Sequence, residues 1–330
     1  MDRIMLAHGS GGRLSHELIL NLFQKHLGNA YLNQMNDAVL LPGLEQIAVS
    51  TDSFVVSPLF FRGGNIGKLA VCGTVNDLAV SGAIPKFITL ALILEEGLPI
   101  EELEQIIKSV SETAVEAGVL VVCGDTKVVE RGSADRIFIN TTGIGYVTDR
   151  LVEPKRIQPG DEIIITGTIG DHGIAILSER EGLEFQTPVL SDCAPLNKLI
   201  DTFYLPGVKC MRDPTRGGVA TTLNELAQQA GVGMLLKEEL LPLLPSVESA
   251  CEMLGLDPLY LANEGKALVI VAPEVADEVL LKMQSHPLGQ NATRIGIVQE
   301  GKSGLVLLET FLGGKRIVGM LEGEHLPRIC

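Results

Sequence analysis

The chain has 330 residues, 46% of them apolar and 20% charged, with a formal net charge of −15. Such a composition buries sizeable cores and excludes wholesale disorder, and the length suits about two domains. The acidic balance excludes a nucleic-acid partner, which needs a basic face, but leaves ATP open because a metal ion reverses the local sign.

Residues 13–27 carry Leu14, Leu18, Leu22 and Phe23 at helical spacing. Residues 47–56 predict a strand around Ser50-Thr51-Asp52, 65–80 a mostly apolar helix, and 87–94 a buried strand. The clearest helix spans 99–117: Pro99 suits the first turn, Glu101 and Glu102 suit the positive helix end, and Gly118 ends it. Strands follow at 119–123 and 136–147. A proline-containing charged stretch over 148–160 marks a boundary before the strand that opens with Asp161. Beyond it, strands at 267–271 and 294–298 mix with helices at 219–230 and 274–284. The pattern is α/β in both halves, giving units 1–150 and 151–313. The remainder, 314–330, is rich in glycine and predicts a flexible tail. Fully extended, its last 12 residues reach at most about 40 Å.

No apolar run approaches the about 18 residues of a membrane span. MDRIMLAHGSGG lacks the apolar core of a secretory signal. The six cysteines show neither metal-knuckle nor thioredoxin spacing. Cys72 and Cys123, set in apolar runs, predict buried small hydrophobes, and the whole predicts a reduced, cytoplasmic protein.

Gly9-Ser10-Gly11-Gly12 precedes a helix, where backbone N–H groups approach an anion; the same segment also suits a flexible entry loop. Thr215-Arg216-Gly217-Gly218 opens another helix and offers a second anion site or a cap. Asp37, Asp52, Asp77, Asp125 and Asp213 each stand in turn-prone or strand-end settings, where a lone aspartate is ordinarily a cap. Together they would repel: two carboxylates about 5 Å apart cost roughly 3 kcal/mol at an effective dielectric of 20. A cluster therefore calls for a cation, and oxygen-only ligands point to Mg²⁺. Glu264, in Asn263-Glu264-Gly265-Lys266, is either a general base or part of a surface turn with an ion pair. Lys127 binds phosphate, or acts as a base if burial or a cationic neighbour such as Arg131 or Arg216 lowers its pKa. His172, in Gly170-Asp171-His172-Gly173, is more often structural than catalytic. Cys330 is the last residue and a nucleophile; Arg328 favours its thiolate and the α-carboxylate opposes it. Its position rules out a prenylation signal.

AHGSGG, STDSFVV, GGNIGKLAVCGTVNDLAVSGA, GDTKVV, GDHG, RDPTRGG, ANEGK and terminal PRIC together resemble the HypE family of hydrogenase maturation proteins. That family sits within the group of aminoimidazole ribonucleotide synthetase and selenophosphate synthetase, and the resemblance covers essentially the whole chain. It implies two α/β domains, each a mainly antiparallel or mixed sheet with packed helices, pairing of two chains through the N-terminal domains, and ATP with Mg²⁺ in the interdomain cleft. By the same resemblance, Gly9, Gly11, Gly12, Thr51, Asn76, Thr126, Thr215, Arg216, Gly217 and Gly218 bind the nucleotide, and the five aspartates hold metal. Where many members carry an acidic pair, this chain has Asn36-Asp37, which leaves the number of metal ions open. The implied reaction is dehydration of a carbamoyl group on Cys330, placed there by HypF, to a thiocyanate. The cyano group then passes to iron on HypC–HypD. Phosphorylation makes the carbamoyl oxygen a leaving group, and Glu264 and Lys127 are the two residues available for proton removal. Two other readings stay open: a small-molecule ATP-dependent synthetase or kinase, and a non-catalytic cysteine carrier.

Overall fold

The computed structural model describes residues 3–9, 13–34, 41, 46–150, 152–182, 189–301, 304–322 and 328–330. The first helical stretch comes in three pieces: α1 (Arg13–Leu18), a π-wound turn (Ile19–Gln24) and α2 (Lys25–Leu27). Leu18, Leu22, Phe23 and Leu27 are buried, so the expected apolar stripe is present although the helix is not uniform.

Next come β1 (Ile47–Phe54), a two-rung ribbon of β2 (Phe60–Phe61) and β3 (Gly64–Asn65), α3 (Ile66–Val80), β4 (Ile84–Glu95), α4 (Ile100–Ala117), β5 (Leu120–Val129) and β6 (Ile137–Tyr146). The four long strands form a mixed sheet, β1-β6-β4-β5, in which only β4 and β5 run parallel. The parallel pair needs a crossover, and α4 supplies it. Its buried Leu103, Ile106, Ile107 and Val110 follow the helical period, and Gly118 closes it at φ 73°. Pro99 is the residue just before this helix rather than part of its first turn. Asn65 caps α3, accepting from Gly67 N at 2.9 Å and Lys68 N at 3.2 Å. Thirteen residues of α3 are buried, so it is apolar on nearly every side, held between the first sheet and the second half of the chain.

The second half carries β7 (Glu162–Ile165), α5 (Asp171–Glu181), α6 (Asn197–Phe203), β8 (Val208–Arg212), α7 (Gly218–Ala230), β9 (Gly233–Lys237), α8 (Pro245–Leu254), β10 (Leu268–Val271), α9 (Pro273–Gln284), β11 (Thr293–Gln299), β12 (Val306–Glu309) and β13 (Lys315–Ile317). The sheet order is β13-β12-β9-β11-β7-β10-β8, antiparallel except for β9 and β12. Central strands β7 and β10 are apolar runs because both faces are covered. Ile163, Ile165, Leu268 and Ile270 meet the core under α7, while Ile164, Val269 and Val271 meet the core under α6 and α9. The α/β reading with mixed sheets therefore holds. The tail is shorter than expected: Lys315–Ile317 pairs with β12 as an edge strand, and Val318 is fully buried.

The two halves share side chains. Ala79 and Val80 of α3 join the core of the second sheet, while Cys193, Ala262 and Ile329 join that of the first. No described helix is long and apolar enough to cross a membrane.

Candidate active site

The cleft between the halves is bounded by β1 and the C-terminal turns of α3 on one side, and by the end of β8 and the start of α7 on the other. A cavity of about 570 Å³ opens there, lined among others by Ser50, Asp77, Asp213, Thr215 and Arg216.

Strand alternation sends Ser50 and Asp52 to the α3 side of the sheet. There Ser50 Oγ donates to Asp77 Oδ2 at 2.6 Å, and Asp52 shares a hydrogen bond with Asp77. Burial and the Asp77 charge push Asp52 up to about 6, partly offset by Arg216. Burial and the same Asp77 charge push Asp213 up to about 7. Glu264, 3% exposed, is held well above the ordinary carboxylate range by burial, then by Cys193, Asp192, Asp213 and Asp52. The surface-turn reading of Glu264 therefore fails. These carboxyls raise one another because they crowd one low-dielectric cleft.

Two positions show how the backbone makes the site. Gly218, at φ +60°, opens α7; a Cβ there would lie 2.5 Å from Leu259 O and 2.6 Å from Leu261 O. Gly265 passes so close to the segment before α6 that a Cβ would sit 1.9 Å from Asp192 O. That approach lets Asp192 accept from Glu264 N at 3.1 Å and Gly265 N at 3.2 Å, with Lys266 Nζ 3.4 Å from its carboxylate. Lys266 also lies 4.0 Å from Asp171. Burial and the Asp192 charge push Asp171 up to about 6.

The last residue lies within reach of the same carboxyls. Cys330 is pushed up to about 12 by burial and then by Glu264 and Asp52, with Arg216 opposing. Arg216 and the last thiol thus meet around the same carboxyls. Cys193 hydrogen-bonds to Cys72 and, buried with it, is held well above the ordinary thiol range.

Not every predicted site residue converges here. Asn76, 1% exposed, donates to Ala194 O and Glu264 O, both at 3.1 Å, and accepts from Leu196 N at 2.8 Å. Both its donors are thus spent on protein carbonyls, and its geometry is that of a clamp on Glu264 rather than a phosphate contact. Thr51 lies on the opposite face of β1 from Asp52, with its hydroxyl donating to Thr141 O at 3.0 Å. The Gly124-Asp125-Thr126-Lys127 stretch continues β5 as strand. Thr126 stands opposite Leu92 in the β4–β5 ladder. Asp125 and Lys127 are exposed on the open face and pair with each other at 3.3 Å. The condition for a lysine base is therefore not met within one chain: Lys127 is 66% exposed and its neighbour is an anion. Thr215 and Gly217 shape the turn into α7, where Gly218 N donates to Thr215 O at 3.0 Å. Gly9 ends a 3₁₀ turn, Leu6–Gly9, just before α1. Gly11, Gly12, Asn36 and Asp37 lie outside the described residues. Cys72 is buried as expected, but Cys123 is only half-buried. Sequence reasoning passed over Asp192, Arg180 and Cys193; a charge between serine and cysteine in a loop carries no local signal that it will be buried.

Among the described residues no three His, Cys, Asp or Glu side chains form a ready-made metal cage. The donor set nevertheless fits Mg²⁺, which takes one or two carboxylates and completes its shell with water and phosphate oxygens. The raised Asp52 and Asp213 carboxyls are those a cation would relieve.

Two family models match the chain: the N-terminal domain of AIR synthase related proteins over residues 35–147 and the C-terminal domain of that family over 158–308. The carbamoyl dehydratase HypE of Cupriavidus necator is 51% identical over 99% of this chain and 95% of its own length. A crystal structure of hydrogenase maturation protein HypE in complex with ATP is similar at a TM-score of 0.96 and 48% identity, covering 99% of each chain. A chain of a HypE–HypF complex is similar at a TM-score of 0.82 and 51% identity, covering 92% of this chain and 99% of that one.

Proposed function

The chain belongs to the HypE family of AIR synthase related proteins, and from that premise we propose that it is an ATP-dependent carbamoyl dehydratase acting on its own C-terminus. A carbamoyl group carried on Cys330 loses the elements of water and becomes a thiocyanate, for transfer to iron as the cyanide ligand of nickel-iron hydrogenase. HypF is the proposed carbamoyl donor, in keeping with the HypE–HypF complex among the similar structures. HypC–HypD is the proposed acceptor.

The observation that carries this reading is the terminal thiol itself, held where the charges of Glu264, Arg216 and Asp52 reach it. A small-molecule synthetase has no use for its own last residue at that point. A simple carrier has no use for buried carboxyls whose charges repel.

Bound ATP supplies the phosphoryl group that turns the carbamoyl oxygen into a leaving group. Both N–H protons must go as the carbon–nitrogen triple bond forms: Glu264, raised by burial and its acidic neighbours, accepts one, and the other leaves with the phosphate as hydrogen phosphate. Asn76 and Asp192 hold the Glu264 backbone, and the side chain has little freedom to wander. Arg216 and the amides opening α7 balance phosphate charge. Asp52, Asp77 and Asp213 hold Mg²⁺. Residues 1–150 act as the nucleotide-binding and pairing unit, 151–313 as the second wall of the cleft, and the end of the chain as a carrier arm.

The homodimer is part of the proposal. Ile47, Val49 and Ile93 are 50%, 59% and 43% exposed along the open face of the first sheet, where a second copy would cover them. Asp125 and Lys127 share that face, and in the pair they serve the cleft of the other copy. A cytoplasmic setting fits the six free thiols.

The test is intact mass after incubation with HypF, carbamoyl phosphate and ATP–Mg²⁺, then a chase with ATP–Mg²⁺ alone. A carbamoyl adduct on Cys330 that loses one water only with ATP is expected, and none forms on Cys330→Ala. A persistent adduct overturns the dehydratase in favour of the carrier.

A further inference from the structure

The last three residues run alongside Val55–Ser57. Val55 N donates to Cys330 O and Ser57 N to Arg328 O, both at 3.2 Å, and Arg328 Nε returns a bond to Val55 O at 2.9 Å. Arg328 takes φ 54°, a conformation rare outside glycine that persists only where contacts on both sides hold it. Its guanidinium also reaches Asp135.

Helix α5 closes the other side of this strip. His172 is fully buried, with Nε2 2.8 Å from Ile329 O and Nδ1 2.8 Å from Ser191 Oγ. A carbonyl only accepts, so Nε2 carries the proton. Nδ1 then accepts from the Ser191 hydroxyl, whose oxygen in turn accepts from Cys193 N at 3.1 Å. The partners thus fix the tautomer, and Phe61 packs edge-on against the ring at 5.5 Å. Two turns along the same helix, Arg180 Nη2 donates to Arg328 O at 2.9 Å and to Ser57 O at 2.7 Å, while Nε donates to Ser57 O at 3.1 Å.

We propose that His172 and Arg180 are positioning residues that seat the end of the chain by its backbone, so that Cys330 is presented at one place whatever its sulfur carries. The two hydrogen bonds described at Ile329 and Cys330 use main-chain oxygens, the Ile329 carbonyl and the Cys330 α-carboxylate, leaving the sulfur free of the seat. A thiol, a carbamoylated thiol and a thiocyanate can therefore occupy it alike. The seated sulfur is also shielded, because Cys330 packs against the apolar core of the first half. The sulfur reacts with an outside reagent when the arm leaves the seat.

This role in positioning rests on the proposed carbamoyl chemistry; the seat itself does not. The first measurement is therefore the rate of Cys330 alkylation by iodoacetamide in the full chain, read on the C-terminal peptide with no nucleotide present. His172→Leu is expected to speed it about tenfold, the factor that corresponds to one lost hydrogen bond of about 1.4 kcal/mol. His172→Gln, whose amide reaches Ile329 O, is expected to stay near the native rate. Arg180→Met, at a half-buried position, is expected to speed it similarly, and it keeps the test standing if His172→Leu does not fold. Native rates in folded Arg180→Met and His172→Leu overturn the seat. The second measurement is ATP-dependent conversion of carbamoylated Cys330. Conversion is expected to slow in proportion to the loss of seating, with KM for ATP unchanged. Faster alkylation with undiminished conversion overturns the positioning role. Failure of conversion in the native chain would instead count against the dehydratase reading, with alkylation still reporting on the seat.

Discussion

Asp52 and Asp125 lie within strands of the same four-stranded sheet and meet opposite conditions. Asp52 faces α3, half-buried beside Asp77 and within reach of the Asp213 charge, and is pushed up to about 6. Asp125 is 63% exposed on the other face, with Lys127 3.3 Å away. One carboxyl is kept ready to gain a cation or a proton, because it is partly withdrawn from water and its neighbours are anions. The other is already compensated and solvated. Residue type and strand position are the same; the face of the sheet decides the chemistry.

The largest effect should come from the buried side. Glu264→Gln keeps size and the backbone clamp but removes the proton acceptor. We expect ATP-dependent conversion of carbamoylated Cys330 to fall by about a hundredfold or more, with the melting temperature at or above native because a crowded charge is gone. Conversion within a few-fold of native, measured by intact mass, would show that the buried carboxyls act only as a metal and nucleotide frame.

A smaller effect concerns Asp171, which is buried beside Asp192 and Lys266 but takes no part in the proposed reaction. Its folded pKa of about 6 lies above the ordinary 3.8. The folded state therefore keeps the proton while the unfolded state has already lost it. The stability this contributes is fully present below about pH 4 and is lost as pH rises to about 6, an effect on the order of 3 kcal/mol. Relative to Asp171→Asn, the native chain should lose stability across that window in denaturant titrations. Parallel curves would mean that Asp171 is ionised in the fold and fully paired by Lys266.

Much of the fold was legible because the signals were local. The 3.6-residue stripe of α4 and Gly118 after it needed no tertiary knowledge, and neither did the apolar runs of β7 and β10. The Gly-Asp-Thr-Lys segment was not legible as strand, since glycine and aspartate speak for a turn while its hydrogen bonds come from β4, 34 residues earlier in chain order. The site divides the same way. Glycine-flanked aspartates and Glu264 could be nominated from residue type, and the end of the chain drew attention to Cys330. That Asp52, Asp77 and Asp213 share a cleft while Asp125 turns away depends on strand alternation and register. Asp192 is buried only because Lys266 and two backbone amides from a distant loop meet it, and His172 acquires its partner from the last residues of the chain.

The smallest effect on the single chain, and the sharpest on the comparison, belongs to Asp125. As a solvated surface group, Asp125→Asn should change stability by no more than about 0.5 kcal/mol. If the open face serves only its own chain, activity should be equally untouched. If it faces the cleft of a paired copy, Asp125→Asn should lower conversion, and mixing it with Glu264→Gln should restore some. In a symmetric pair with an isologous contact, each cleft would take its buried carboxyls from one chain and its open-face residues from the other. Half of randomly mixed dimers would be heterodimers with one fully native cleft each, so conversion should recover to about a quarter of native. Recovery that requires mixing before refolding or subunit exchange would assign the two faces of this sheet to two different active sites. No recovery, with Asp125→Asn itself impaired, would place Asp125 in the cleft of its own chain and end the separation of the two faces.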